Sequence, residues 1–235
     1  MTLDVLAVGA HPDDADLGAG GTIIKLSRRG LRVGILDLTR GELATRGRPE
    51  EREAEAREAA RLLGAAVREG AGLPDGRVAN DPEQREAVIR RIRAWRPKVL
   101  LAPMIPDRHP DHAAAHALAK DANFLAGVRK VDTGQEPHRA SVIYYYNAYH
   151  ETGAEPRFVV DITGVFDAKI DALRAFRSQL YNPAYPGEPT WVASEAFWDA
   201  IEARAGYWGS RVGVRYGEPF YGDAPLGFDL PPGLT

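Results

Sequence analysis

This sequence predicts an α/β protein: a Rossmann-like, doubly wound, mostly parallel sheet with helices on both faces. Three observations carry that expectation. Short apolar runs bounded by Gly or Pro read as buried strands. Segments with apolar residues at helical spacing follow them in regular alternation, the pattern of βαβ units. The length of 235 residues, 44% of them hydrophobic, suits a single domain, 1–235, with a full core.

The first strand is Leu3 to Val8, closed by Gly9 and the Pro12 turn. Thr22 to Leu31 carries Ile23, Ile24, Leu26 and Leu31 near helical spacing, with Gly30 as a stop signal. Arg32 to Leu38 is the second strand, and a polar loop runs from Thr39 to Arg48. Pro49 and Glu50-Glu51 then open a long Ala-rich helix to Leu63-Gly64, its acids at the positive end of the helix dipole. Val67 to Leu73 is a weaker strand, closed by Pro74-Asp75-Gly76. Val88, Ile89, Ile92 and Trp95 mark one helical face that Pro97 ends. Val99 to Ala102 is a strand, Ala113 to Leu125 a helix, and Ser141 to Tyr146 and Phe158 to Ile162 two further strands. Phe166, Ile170, Leu173, Phe176 and Leu180 line another helix. The Pro-, Gly- and Trp-rich part from about 182 to 235 reads as irregular chain around one helix, Ala193 to Ala205, packing on a pocket or a subunit interface.

Composition excludes several classes. The net charge of -3 and the lack of a basic run argue against nucleic-acid binding. No apolar stretch approaches the ~18 residues a membrane span needs. The start, Met1-Thr2-Leu3-Asp4, has no basic n-region, so no signal peptide is expected and a cytoplasmic location is. With no Cys, thiolate catalysis and Cys-ligated metal are out; any metal must be held by His, Asp or Glu.

Two short motifs carry the chemistry. His11-Pro12-Asp13-Asp14 and His109-Pro110-Asp111-His112 each follow a predicted strand and precede a predicted helix. Singly, each reads as a structural turn or a helix start. Jointly, they place three His and three Asp on two loops that a doubly wound sheet brings to one edge, where such folds bind ligands. A hydrolytic zinc site needs those parts: imidazoles, a carboxylate ligand and a spare carboxylate to handle a water proton. Gly18-Ala19-Gly20-Gly21 lacks the dinucleotide fingerprint and reads as close packing of the first helix.

Ala10-His11-Pro12-Asp13-Asp14 with His109-Pro110-Asp111-His112 resembles the signature of the LmbE-like (PIG-L type) zinc deacetylases of N-acetylglucosamine conjugates. Thr39-Arg40-Gly41-Glu42, the Arg52 and Glu55 pair, Ser178-Gln179 and Tyr216-Gly217-Glu218-Pro219-Phe220 are similar to the bacillithiol branch, which deacetylates N-acetylglucosaminyl-malate. The resemblance implies that His11, Asp14 and His112 hold Zn2+, with Fe2+ an alternative occupant, and that Asp13 is the general base. It implies that His109 sits beside the substrate carbonyl and that Asp111 lies behind an imidazole. N-caps are the competing reading of Asp13 and Asp111.

Arg52, after the polar loop, is expected to bind a substrate hydroxyl or carboxylate, and Arg139 to bind substrate and pair with Asp111. His116, one turn from His112, is expected to pack, and His138 and His150 to lie at the surface or pocket rim. Asp107-Arg108 stands where some relatives acting on a mycothiol precursor carry a tyrosine, which weakens that assignment. The expected partner is a small N-acetylglucosamine conjugate, with no nucleic acid or membrane, and the protein is expected to be a homo-oligomer. The rival readings are deacetylation of another N-acyl glucosamine compound, such as a mycothiol precursor or a chitin disaccharide, and a non-catalytic metal-holding sugar-binding module.

Overall fold

The structure, a computed structural model, describes residues 1–148, 153–227 and 229. Tyr149, His150 and the Pro231-Pro232 pair lie outside the described residues.

Five strands form one parallel sheet: β1 (Val5–Gly9), β2 (Val33–Asp37), β3 (Val67–Gly70), β4 (Val99–Pro103) and β5 (Val142–Tyr146). Their order is β3-β2-β1-β4-β5, so the chain reverses its direction of growth between β1 and β4. A crevice opens beyond the carboxyl ends of strands at such a switch. Strands buried on both faces need apolar residues at every position, which is why β1 (VLAVG) and β2 are buried throughout.

Alternate residues of β1 go to opposite faces. Leu6 and Val8 join the core formed with α3 (Pro82–Trp95) and α4 (Pro110–Ala126). Val5 and Ala7 join the other core, with α1 (Asp14–Arg28), α5 (Phe166–Leu173) and α6 (Glu195–Arg211). The remaining helix, α2 (Pro49–Leu63), starts on Pro49 and stops at Gly64, whose φ of 72° is a left-handed cap that glycine adopts without strain.

Four boundaries differ from the sequence reading. The helix after β1 begins at Asp14, not near Thr22, because its Gly/Ala-rich first half is buried against the sheet and needs no large apolar side chains. A Cβ at Gly18 would collide with the Tyr146 ring, so the glycine run serves close packing. The helix from Phe166 stops at Leu173, and Phe176 and Leu180 reach the core from turns that follow it. The helix expected over Ala193 to Ala205 runs from Glu195 to Arg211, capped by the Ser194 hydroxyl. Finally, the C-terminal part contains a strand, β7 (Gly217–Phe220), paired antiparallel with β6 (Phe158–Asp161). Pro219 hides it from a propensity reading.

Candidate metal centre and active site

The loop after β1 and the loop after β4 meet over the crevice, and their three imidazoles cluster. Ring centroids lie 4.7 Å apart for His11 and His109, 5.3 Å for His11 and His112, and 4.9 Å for His109 and His112. The first residue of α1 lies between two of them. Asp14 Oδ2 is 3.6 Å from His11 Nδ1, and Asp14 Oδ1 is 3.2 Å from His112 Nε2.

The opposite ring edges decide the tautomers. His11 Nε2 faces Asp75 Oδ1 at 3.1 Å and Asp111 Oδ2 at 3.4 Å. His112 Nδ1 faces Asp107 Oδ2 at 3.0 Å. A carboxylate behind a ring fixes the N–H on that side and leaves the other nitrogen as a lone-pair donor. Both lone pairs therefore turn toward Asp14.

His109 is wired the other way. As N-cap of α4 its Nδ1 accepts the Asp111 backbone N–H at 3.2 Å. In the neutral ring the proton then sits on Nε2, which makes that nitrogen a hydrogen-bond donor and not a ligand. Ligand atoms of His11, His109 and His112, and of His11, Asp75 and Asp111, do lie within 4.8 Å of one another. The tautomers single out His11, Asp14 and His112 as the set suited to a cation.

Electrostatics point the same way. Asp13, Asp14, Asp75, Asp107 and Asp111 surround the rings, with Arg52 the compensating guanidinium. Burial opposes charge on His112, yet Asp14 and Asp107 lift its pKa to about 10. His11 is likewise raised well above its ordinary value: burial works against it, and Asp111, Asp14 and Asp75 outweigh burial. Imidazoles driven to hold protons mark a site short of positive charge, and a divalent cation would meet that shortage with the donor types zinc accepts. The donor set fits a metal.

Asp13 has an unusual backbone, φ 128° and ψ -25°, in the region that side-chain-bearing residues rarely adopt. It precedes α1, but its side chain makes no capping hydrogen bond. The competing N-cap role is therefore not the one it plays here. Burial pushes its carboxyl up to about 7, against the pull of Arg52. Asp111 does not cap its own helix either: its oxygens accept the backbone N–H groups of Gly76 (2.7 Å) and Val78 (3.2 Å) and face His11.

Arg52 lines the cavity with its Nε unpartnered among the described residues, and its other two nitrogens are bonded to the protein. Its Nη1 donates to Gly41 O at 2.8 Å, its Nη2 donates to Pro12 O at 3.0 Å, and Nη2 lies 3.6 Å from Asp13 Oδ2. A Cβ at Gly41, which has φ 65°, would occupy the guanidinium position, so this glycine makes room for it. Arg52 positions the Pro12-Asp13 turn. Arg139 lies elsewhere than expected. It stacks over Phe124 at 5.6 Å and packs on Gly127, at the far end of α4 from Asp111. A helix of 17 residues puts those ends roughly 25 Å apart, so no Arg139–Asp111 pair forms. His116 packs on Tyr145 and bonds Pro103 O through Nδ1, and His138 Nε2 bonds Pro97 O.

Asp75 and Asp107 are the acids that sequence reasoning missed. Asp75 sat in a Pro-Asp-Gly turn, but that turn follows β3 and so lies on the same sheet edge. Its carboxylate also accepts the Leu43 N–H at 2.8 Å, tying the Thr39 to Arg48 loop to the site.

His11, Asp13, Asp14, Asp75 and His109 open into a cavity of about 510 Å³, whose wall also includes residues 43–46, Arg52, Arg108, residues 179–180 and residues 190–192. Arg52 and Gln179 line it, and Glu55 and Ser178 brace Gln179. Glu55 accepts from Ser178 N (2.8 Å) and Ser178 Oγ (2.7 Å), and Gln179 Nε2 donates to Ser178 Oγ and to Arg46 O.

The Rossmann-like sheet thus carries at its switch point a cluster of His and Asp side chains able to hold a metal ion. Residues 6–123 match the family model described as PIG-L: GlcNAc-PI de-N-acetylase. The chain is 31% identical to diacetylchitobiose deacetylase of Thermococcus kodakarensis, over 91% of this chain and 80% of that one. It is 30% identical to 1D-myo-inositol 2-acetamido-2-deoxy-alpha-D-glucopyranoside deacetylase 2 of Saccharopolyspora erythraea, over 74% and 83%. The crystal structure of the conserved protein TT1542 from Thermus thermophilus superposes with a TM-score of 0.89 at 41% identity, covering all of both chains. The chain belongs to the PIG-L (LmbE-like) deacetylase family and is an amide hydrolase of that kind.

Proposed function

We propose that this protein is a zinc-dependent deacetylase of the N-acetylglucosamine group of a small conjugate, with N-acetylglucosaminyl-malate the favoured substrate, as in bacillithiol biosynthesis. The observation that carries the reading is the convergence of two carboxylate-backed imidazole lone pairs on Asp14, beside an Asp13 that caps nothing. The malate preference rests on the resemblance of the branch motifs, of which Arg52 and Gln179 line the cavity while Gly217 to Pro219 line a separate pocket.

His11, Asp14 and His112 would hold the ion. When bound, it supplies Lewis acidity toward the amide oxygen and lowers the pKa of a water toward ~7. Asp13 takes the proton of the attacking water and delivers it to the departing amine. Its strained turn, pinned by Arg52, sets the carboxylate on the cavity beside Asp14. His109 donates its Nε2–H to the oxyanion that forms at the acetamide carbon. Asp75, Asp111 and Asp107 hold the two liganding rings in the productive tautomer. Acetate and a free amino sugar leave.

The test is an amine-release assay with N-acetylglucosaminyl-malate, N-acetylglucosamine and diacetylchitobiose side by side, together with elemental analysis of protein purified without added metal. Release from the malate conjugate at the highest kcat/KM, with one zinc per chain, is expected. Preference for the disaccharide would replace the malate assignment, and one iron per chain the zinc assignment. Stoichiometric metal with no amine released from any substrate would favour a sugar-binding module. For His112→Ala we expect loss of the ion on dialysis.

A further inference from the structure

One polar group in the cavity wall has no part in the chemistry above. Arg46 is only 7% exposed, yet its Nε and Nη2 have no hydrogen-bond partner among the described residues. A guanidinium cannot shed its charge, and buried donors are normally satisfied. The side chain is nevertheless held firmly. Its backbone carbonyl is tied to Gln179, and its guanidinium lies 4.9 Å over the Tyr185 ring. The Tyr185 hydroxyl is in turn anchored on Glu51 Oε2 at 2.8 Å.

The aromatic ring covers the flat face of the guanidinium, and the in-plane Nε and Nη2 are buried without a bonding partner among the described residues. Nε and Nη2 form the parallel pair of donors that matches an oxyanion side-on. Arg108, over Trp191 at 4.3 Å, is a second cation lining the same cavity. Neither arginine makes an ion pair among the described residues, whereas the acids that line the cavity, Asp13, Asp14 and Asp75, all belong to the metal end. The cavity is thus acidic where the metal binds and cationic on the wall built from the 43–46 loop and the segment after α5.

We infer that Arg46 is the anion-recognition residue of this cavity, so the natural substrate carries an oxyanion, carboxylate or phosphate, on its aglycone. An N-acetylglucosamine ring is uncharged, so the anion must come from what is attached to it. The inference rests on the deacetylase reading for which end of the substrate reacts. Its binding test does not depend on turnover.

The amino-sugar products allow that separation. Binding of 1-O-malyl glucosaminide, glucosamine 1-phosphate and methyl glucosaminide is measured by calorimetry on the metal-loaded wild type, Arg46→Gln and Arg46→Lys proteins. We expect the malyl compound to bind wild type at least ~10-fold tighter than the methyl glycoside. Arg46→Gln should erase that preference, and Arg46→Lys, which keeps the charge but not the fork, should retain part of it. In turnover, the loss of kcat/KM caused by Arg46→Gln should be ~10-fold or more greater for the acetylated malyl conjugate than for its methyl counterpart.

Equal losses on both, or wild-type protein that binds neither anion better than the methyl glycoside, would overturn the inference. Should Arg46→Gln fail to fold, the wild-type comparison and Arg46→Lys still decide. An Arg46-dependent preference for the phosphate over the malyl compound would uphold the anion site and remove the malate assignment. Anion-selective binding without acetate release from any conjugate would uphold the site and count against the deacetylase reading alone.

Discussion

Two acids two residues apart on the same helix meet opposite fates, and the contrast explains where the chemistry sits. Asp16, fully buried in α1, shares Arg68 with Asp37: the guanidinium bonds Asp16 at 2.9 and 3.0 Å and Asp37 at 2.7 and 3.0 Å. One guanidinium thus satisfies all four carboxylate oxygens, and burial raises the Asp37 pKa. Asp14, two residues earlier, faces two imidazoles backed by further carboxylates, and among the described residues Arg52 is the guanidinium paired with its neighbour Asp13. Interiors tolerate charge when it is paired. The first cluster is structural because it is complete, and the second is a site because it is not.

The contrast breaks most directly at Asp13. Asp13→Asn should leave the ion bound while lowering kcat by about 10²–10⁴-fold, as loss of a positioned acid–base group does; steady-state kinetics beside elemental analysis read both. A variant of near-normal rate would remove Asp13 from the reaction. On the other cluster, Arg68→Met strands two buried carboxylates and should cost about 3–5 kcal/mol in chemical denaturation. A cost below ~1 kcal/mol would mean that the acids there find another countercharge.

His109→Gln keeps a donor of different reach and should lower kcat by about 10²-fold with metal content unchanged. Metal loss in that variant would make His109 a ligand and overturn the tautomer argument. The smallest effect is expected for Asp107→Asn, which weakens the carboxylate behind His112 and should lower metal affinity about 10–100-fold in a chelator competition. No change would show that His112 is oriented by its packing alone.

Much of this was legible in the chain, for physical reasons that also mark the limits. Strands buried on both faces read as apolar runs, so β1, β2 and β4 stood out, and their alternation with helices set the sheet type. The His-Pro-Asp turns were visible because each sits where an apolar run ends. Asp75 and Asp107 were not, since a single acid in a turn looks the same whether it faces solvent or a histidine. Arg139 was misplaced because closeness to a strand says nothing about which end of the sheet a side chain serves. The onset of α1 was missed because glycines chosen for contact with Tyr146 weaken the helical pattern they belong to, and β7 because Pro219 interrupts it.

The central claim is that one ion is gripped by His11, Asp14 and His112 while His109 stays outside its ligand sphere. Anomalous diffraction from zinc-loaded crystals tests it directly. The account predicts a single peak about 2.0–2.2 Å from His11 Nδ1, His112 Nε2 and an Asp14 oxygen, with His109 Nε2 beyond bonding distance. A peak bound to His109, or one seated between Asp75 and Asp111, would contradict it.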